Sequence, residues 1–237
     1  MIAAPVAIVA GAGAGGRSTA VALADKGFHI VVLDTRAEAA ADVVRAVAEA
    51  GGAAEGHSVD LLDVPEVRAL RTDLLGRLGR VDVLVHLVGG WRGSSGVDIE
   101  AVDNWNALQP PIVGTLATLT AVFGEDVRNA PRGRAFMVTS TTAQRPTAGN
   151  VAYAAAKSAA EAWMAGLAHG WRDADAASVV VAVKALLTDA MREKDPDKEF
   201  PGYTHVDDLG RAIADAATGP IENGSRLDLT AEGYSRA

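Results

Sequence analysis

Seven short runs rich in Val, Ile and Ala recur along the chain, each separated from the next by a longer Ala- and Leu-rich stretch of helical period. The runs are Val6–Ala10, His29–Asp34, Ala53–Val59, Val81–Val88, Arg134–Ser140, Val179–Lys184 and Arg226–Thr230. Most of them are apolar without alternation, as strands covered on both faces are. Parallel strands need long crossovers, and right-handed crossovers lay helices on both sheet faces. Helices are expected over Gly16–Lys26, Arg36–Ala50, Val64–Leu78, about Glu100 to Val127, Val151–Trp171 and Val206–Ala217. The fold class is therefore α/β, a doubly wound parallel sheet of seven strands with helices on both faces. The stretch Met191–Tyr203, with the charge run Arg192 to Glu199, breaks the rhythm. It reads as an exposed insertion, either a solvated surface loop or a lid.

A chain of 237 residues fits one such unit, so residues 1–237 are expected to form one domain. With 49% hydrophobic residues it can bury a large core. A net charge of −8, with no cluster of Lys and Arg, speaks against a nucleic-acid partner. The absence of cysteine excludes disulfides and thiolate zinc sites, and no metal site is expected. The start Met1–Ala10 lacks a basic flank and runs into glycines, so no signal peptide is expected there. No run of apolar residues reaches the roughly 20 that a membrane helix needs. The expectation is a cytoplasmic protein with a small-molecule partner and no membrane partner.

The first strand ends in Gly11-Ala-Gly13-Ala-Gly15-Gly16, and a helix-compatible run follows at once. Glycines there let the backbone turn tightly and approach a pyrophosphate, whose charge sits against free N–H groups at the helix N-terminus. Asp34, at the end of the second strand, follows at a suitable interval. A carboxylate there accepts the hydroxyls of an adenosine ribose and repels a 2′-phosphate. It favours NAD(H) over NADP(H), and Arg36 nearby opposes that preference. The sheet is accordingly read as Rossmann-type.

Tyr153 and Lys157 lie four apart in a helical stretch and share one face. An ammonium near a phenol stabilises the phenolate, so the tyrosine can exchange a proton nearer neutrality. Ser140 ends the fifth apolar run thirteen residues earlier, where ligands bind in open α/β sheets. On these features the sequence resembles the short-chain dehydrogenase/reductase family in its compact form, over nearly the whole chain. The resemblance rests on the glycine loop, Asp34, Asp60, Gly89–Gly90, Ser140, the YxxxK motif Tyr153–Lys157, and Asn223–Gly224.

The resemblance implies an oxidoreductase that moves a hydride between NAD(P)(H) and a ketone or secondary alcohol. Tyr153 is then the general acid or base and Ser140 polarises the substrate oxygen. Lys157 lowers the tyrosine pKa and holds the nicotinamide ribose. Asp60 and Leu61 are implied near the adenine, Thr188 near the carboxamide, and Gly89 at the cofactor. The family also implies a strand order of 3-2-1-4-5-6-7 and a homodimer or homotetramer.

Four departures from the family bear on function. The glycine loop is one residue shorter than the common TGxxxGxG form, with Ala10 in place of its threonine. The usual Asn-Asn-Ala-Gly is His86-Leu87-Val88-Gly89, where His86 is a core histidine or a catalytic one. The asparagine that holds a relay water gives way to Pro110, Pro111 or Ile112. Val183-Lys184 replaces a Pro-Gly. These departures motivate an alternative, an NAD(P)-binding sensor with weak or lost catalysis. Loops after the fourth, fifth and sixth strands are expected to line the substrate pocket, with Trp91, Gln144 and Met191 among its residues.

Overall fold

The computed structural model describes residues 4–230. Met1–Ala3, part of the start read as lacking a leader, and residues 231–237 lie outside the described residues. In chain order the strands are β1 (Val6–Ala10), β2 (His29–Asp34), β3 (Ala54–Ser58), β4 (Val83–His86), β5 (Gly133–Ser140), β6 (Ala176–Val183), β7 (Leu186–Leu187), β8 (Thr204–His205) and β9 (Arg226–Asp228). The helices are α1 (Ala14–Asp25), α2 (Ala37–Glu49), α3 (Val64–Leu78), α4 (Ile99–Gln109), α5 (Thr115–Asn129), α6 (Val151–Gly170), α7 (Asp189–Lys194) and α8 (Val206–Thr218).

Seven strands form one parallel sheet in the order β3-β2-β1-β4-β5-β6-β9. This is the doubly wound order that the resemblance implies. Alternation along each strand divides the core in two. Val6, Ile8 and Ala10 of β1 join the face covered by α3, α4, α5 and α6, while Ala7 and Val9 join the face covered by α1, α2 and α8. The order reverses between β1 and its two neighbours, β2 and β4, which opens a crevice beyond the carboxyl ends of the strands.

Local chemistry sets several boundaries. Asp63 accepts the Glu66 N–H at 3.0 Å, and Glu66 reaches back to the Asp60 N–H at 3.0 Å, which starts α3 where the sequence predicts. Gly79, at φ +77, stops it. The polar strand β3 lies at the sheet edge, so its half-exposed residues carry no penalty.

The long helix expected from about Glu100 to Val127 is interrupted. Pro110 and Pro111 have no N–H to offer the preceding turn, and the chain widens into a π-turn over Pro110–Gly114, where the Thr115 N–H bonds to the Pro110 carbonyl. Together the run Ile99–Asn129 spans 31 residues and is long and apolar enough to cross a membrane by composition. This corrects the reading that no stretch reaches that length. Its apolar face is nevertheless core, with Leu108, Ile112, Leu119 and Phe123 buried on the sheet. The insertion Met191–Tyr203 is also more ordered than a loop. It begins within α7, and the short parallel pair of β7 and β8 ties its two ends together.

Candidate active site

The crevice is lined on one side by the turn from β1 into α1. Gly11 takes φ +100, and a Cβ there would meet the Leu87 carbonyl carbon at 2.9 Å. A Cβ on Gly16 would lie 1.9 Å from the Gly11 oxygen, so helix and loop close on each other only because both are glycine. Around Gly13, by contrast, a Cβ would meet nothing within 4 Å. Gly13 is the N-cap of α1 and makes no side-chain capping bond, so the first N–H groups of α1 remain available to an anion. The working spacing is therefore Gly11-x-Gly13-x-x-Gly16. Its three glycines differ, with a tight turn at Gly11, open space at Gly13 and close packing at Gly16. Gly15 has a packing part only, since a Cβ there would touch Leu186 and Leu209 at 3.4 Å.

Asp34 stands beside this loop. Its carboxylate accepts the Ala12 N–H at 2.8 Å, the Arg36 N–H at 3.0 Å and the Arg36 Nε–H at 3.2 Å. Burial pushes its pKa up, but those N–H groups and the guanidinium charge outweigh burial and hold it below the ordinary value. Farther along the crevice, Asp60 is exposed and its carboxylate accepts the Leu62 N–H at 2.9 Å. Leu61 beside it is 4% exposed and belongs to the core.

On the other side, β5 and α6 bring Ser140, Tyr153 and Lys157 together. Ser140 is buried, and its Oγ accepts from the Thr142 N–H at 3.3 Å and the Thr142 hydroxyl at 3.0 Å. Its hydroxyl lies close enough to the Tyr153 phenol to act on the phenol's ionisation. Burial raises the pKa of Tyr153, and the Ser140 hydroxyl pulls it partly back. The Lys157 ammonium is 5.8 Å from the Tyr153 ring centre and donates to the Val138 carbonyl at 2.7 Å. Burial draws Lys157 down to about 8, against the opposing charge of Glu161. The Ser140 hydroxyl thus eases ionisation of the tyrosine.

His86 sits deep beneath this cluster. Thr115 Oγ1 donates to the Pro111 carbonyl at 2.6 Å, so it accepts from His86 Nε2 at 2.8 Å, which fixes the proton on Nε2. Burial, aided by the Lys157 charge, draws His86 down to about 3, and the ring stays neutral. Of the two readings left open for His86, the structure supports the satisfied core histidine. Ile112, one of the residues read in place of the family asparagine, is wholly buried. A Cβ on Gly89 would meet Ile112 at 3.3 Å and the Lys157 Nζ at 3.9 Å, so Gly89 forms part of the wall around the lysine.

The residues named for the substrate side are spread out. Gln144 lines a cavity of about 370 Å³ with Thr141, Thr142, Arg145, Lys184 and Asp228, next to Ser140. Trp91 is 68% exposed and folds over Gly93, where a Cβ would meet its ring at 2.8 Å. The loop that carries it is pinned near Tyr153 by the Ser94 N–H, which donates to the Gly149 carbonyl at 2.9 Å. Thr188 caps α7 by accepting the Met191 N–H at 3.3 Å, so Thr188 and Met191 start the same short helix. Lys184 donates to the Pro201 carbonyl at 2.7 Å and lies 5.8 Å from the Tyr203 ring centre, fastening the insertion to the end of β6. Sequence reasoning missed Thr142 and Thr115. The one follows the strand-end serine by two residues, and the other follows the proline pair by four. Among the described residues, no group of three His, Asp or Glu is placed to hold a metal.

The family profile described as short chain dehydrogenase matches residues 5–199. The 7alpha-hydroxysteroid dehydrogenase of Escherichia coli K12 is 30% identical over 217 residues, covering 89% of this chain and 84% of that protein. Among solved structures, an oxidoreductase from Haemophilus influenza with bound NAD superposes with a TM-score of 0.84 at 18% identity, covering 98% of this chain and 95% of its own. A gluconate 5-dehydrogenase from Burkholderia cenocepacia, in complex with NADP and tartrate, gives 0.79 at 23% identity over 94% and 92%.

Proposed function

Because this chain belongs to the short-chain dehydrogenase family, NAD(P)-dependent enzymes that transfer a hydride to or from an alcohol or ketone carbon, we propose that Ser140, Tyr153 and Lys157 carry out its proton chemistry on a ketone or secondary alcohol. The observation that supports this reading is the buried Lys157, anchored to the Val138 carbonyl of β5 with its ammonium 5.8 Å from the Tyr153 ring centre, beside the buried Ser140 that ends the same strand.

The residues present fit a nicotinamide dinucleotide. The open space at Gly13 and the uncapped start of α1 suit its pyrophosphate, and Asp34 suits a ribose. When bound, it supplies or takes up the hydride at the nicotinamide ring. Ser140 then holds the substrate oxygen and stabilises the charge that develops on it. Burial keeps Tyr153 protonated near neutral pH, so it can give that oxygen a proton during reduction. In the reverse direction Tyr153 takes the proton, and the nearby ammonium of Lys157 favours the phenolate. Asp60, Gly89 and Thr188 are assigned to the walls of the cofactor groove, with Leu61 buried beneath it, and Trp91, Gln144 and Met191 to the substrate side.

Asp34 supports a preference for NAD(H), while the Arg36 Nε–H donates to its carboxylate at 3.2 Å. Thermal shift with NAD, NADH, NADP and NADPH tests this directly, and a larger shift with NADPH would overturn it. Residues 1–237 are proposed to act as one domain in a cytoplasmic homodimer or homotetramer, consistent with reliance on an intracellular nucleotide. Light scattering on the eluting protein reads the assembly. Oxidation of NADH by a panel of ketones tests the activity itself. Protein that is folded, binds the nucleotide and turns over none of the panel would favour the sensor alternative.

A further inference from the structure

Glu161 lies one helical turn beyond Lys157, so Tyr153, Lys157 and Glu161 follow one another at i, i+4 and i+8 along one stripe of α6. Three successive residues of β5 meet that stripe. Lys157 donates to the Val138 carbonyl at 2.7 Å, Thr139 Oγ1 donates to Glu161 Oε1 at 2.6 Å, and the Ser140 hydroxyl lies close enough to Tyr153 to lower the pKa of its phenol. The second oxygen of Glu161 is paired with Arg226 Nη1 of β9 at 2.8 Å. The Nε and Nη2 atoms of Arg226 are buried without a partner among the described residues, so this arginine depends on the carboxylate. Holding α6 to the sheet does not require such a network, since Ala156, Ala160 and Met164 already bury that face. A charged cluster built into an apolar contact, in register with the tyrosine and lysine, calls for another role.

We propose that Glu161 is a positioning residue for Lys157, its carboxylate fixed by Thr139 and Arg226 so that the lysine charge stays in place behind the tyrosine. The inference rests on the reading of Ser140, Tyr153 and Lys157 given above. The groups facing Lys157 are Tyr153 and Glu161 from α6 and the neutral His86 from β4, with Arg226 of β9 beyond the glutamate. Glu161 is therefore the one charge among them that favours the ammonium against burial.

The chain has five lysines, so a ¹³Cε-lysine NMR titration of the cofactor-free protein resolves Lys157, assigned by the signal that Lys157→Met removes. Glu161→Gln is expected to move the Lys157 midpoint to lower pH by on the order of one unit. Glu161→Asp, which keeps the charge, is expected to restore most of it. An unmoved midpoint in Glu161→Gln would overturn the proposal. Should that variant unfold because Arg226 is left alone, Glu161→Gln is read in an Arg226→Gln background, where it carries the same expected downward shift relative to Arg226→Gln alone, and an unmoved midpoint there overturns the proposal equally. Turnover retained by Lys157→Met would instead defeat the site reading, whatever the titration shows.

Discussion

Around β1 and β2 the crevice is made of backbone. Its features are a glycine turn, an uncapped helix start, and Asp34, whose three hydrogen bonds come from residues close to it in space, two of them N–H groups of the main chain. Around β5 and α6 it is made of buried side chains whose ionisation has been moved by their surroundings, with Lys157 and His86 both drawn down. The first half is suited to holding a dinucleotide that does not change. The second is suited to passing a proton, because only a group whose charge is finely balanced can do so near neutral pH. Damage to one half should consequently read as lost binding, and damage to the other as lost turnover.

The largest separation is expected from Tyr153→Phe, which keeps the ring and removes the proton. Turnover should fall by about 10³-fold, while the thermal shift given by NAD stays as in the wild type. Equal loss of both would erase the distinction between the halves.

Next in size is the pH dependence of stability from Lys157. Its pKa is depressed from 10.5 to about 8 in the folded protein. Between those values the unfolded chain binds more protons, so this group's contribution to stability is fully present above pH 10.5 and is lost as pH falls through 8. The cost below pH 8 is about 3 kcal/mol. Urea denaturation of cofactor-free wild type and Lys157→Met should therefore show the stability difference between them changing by that order across the window. A constant difference would mean that the lysine is solvated.

A smaller effect sharpens the comparison within the glycine turn. Gly16→Ala forces a Cβ onto the Gly11 oxygen and should lower the stability of the protein itself by about 1–3 kcal/mol. Gly13→Ala meets open space and should leave stability unchanged while weakening NAD binding. Denaturation midpoints and nucleotide titration on the two variants read this directly, and a destabilised Gly13→Ala would show that the gap there is not a ligand's. The smallest change is Asp34→Ser. It should weaken NAD binding by roughly tenfold, about the worth of one hydrogen bond to a charged group, and improve NADP relative to NAD. An unaltered ratio of the two dissociation constants would remove Asp34 from cofactor choice.

Much of this architecture is legible before folding. Local signals mark β1, β2 and α3 to the residue: an apolar run between breakers for the strands, an Asp63 cap and a terminal glycine for the helix. The run expected at Val81–Val88 pairs as a strand only over Val83–His86; the Leu87 N–H makes a last bond to the Ala10 carbonyl at 2.8 Å before the chain turns at Gly89. Pro110 and Pro111 announce a disturbed helix, but a missing N–H does not say whether the chain ends, kinks or widens. The π-turn keeps Ile112, within it, and Leu116, just beyond it, in the core.

By itself, then, the sequence determined the alternation of strands and helices, the glycine turn with Asp34, and the Tyr153–Lys157 stripe with Ser140 thirteen residues before it. Each is written in spacing, and spacing survives without a folded chain. Only the tertiary structure decided that Gly16 closes on Gly11 while Gly13 stays open, that His86 is neutral and bound to Thr115, and that Glu161 completes the stripe with Thr139 and Arg226. Arg226 is 65 residues from Glu161 in the sequence, and burial and charge pairing across such a distance exist only once β9 has docked at the sheet edge.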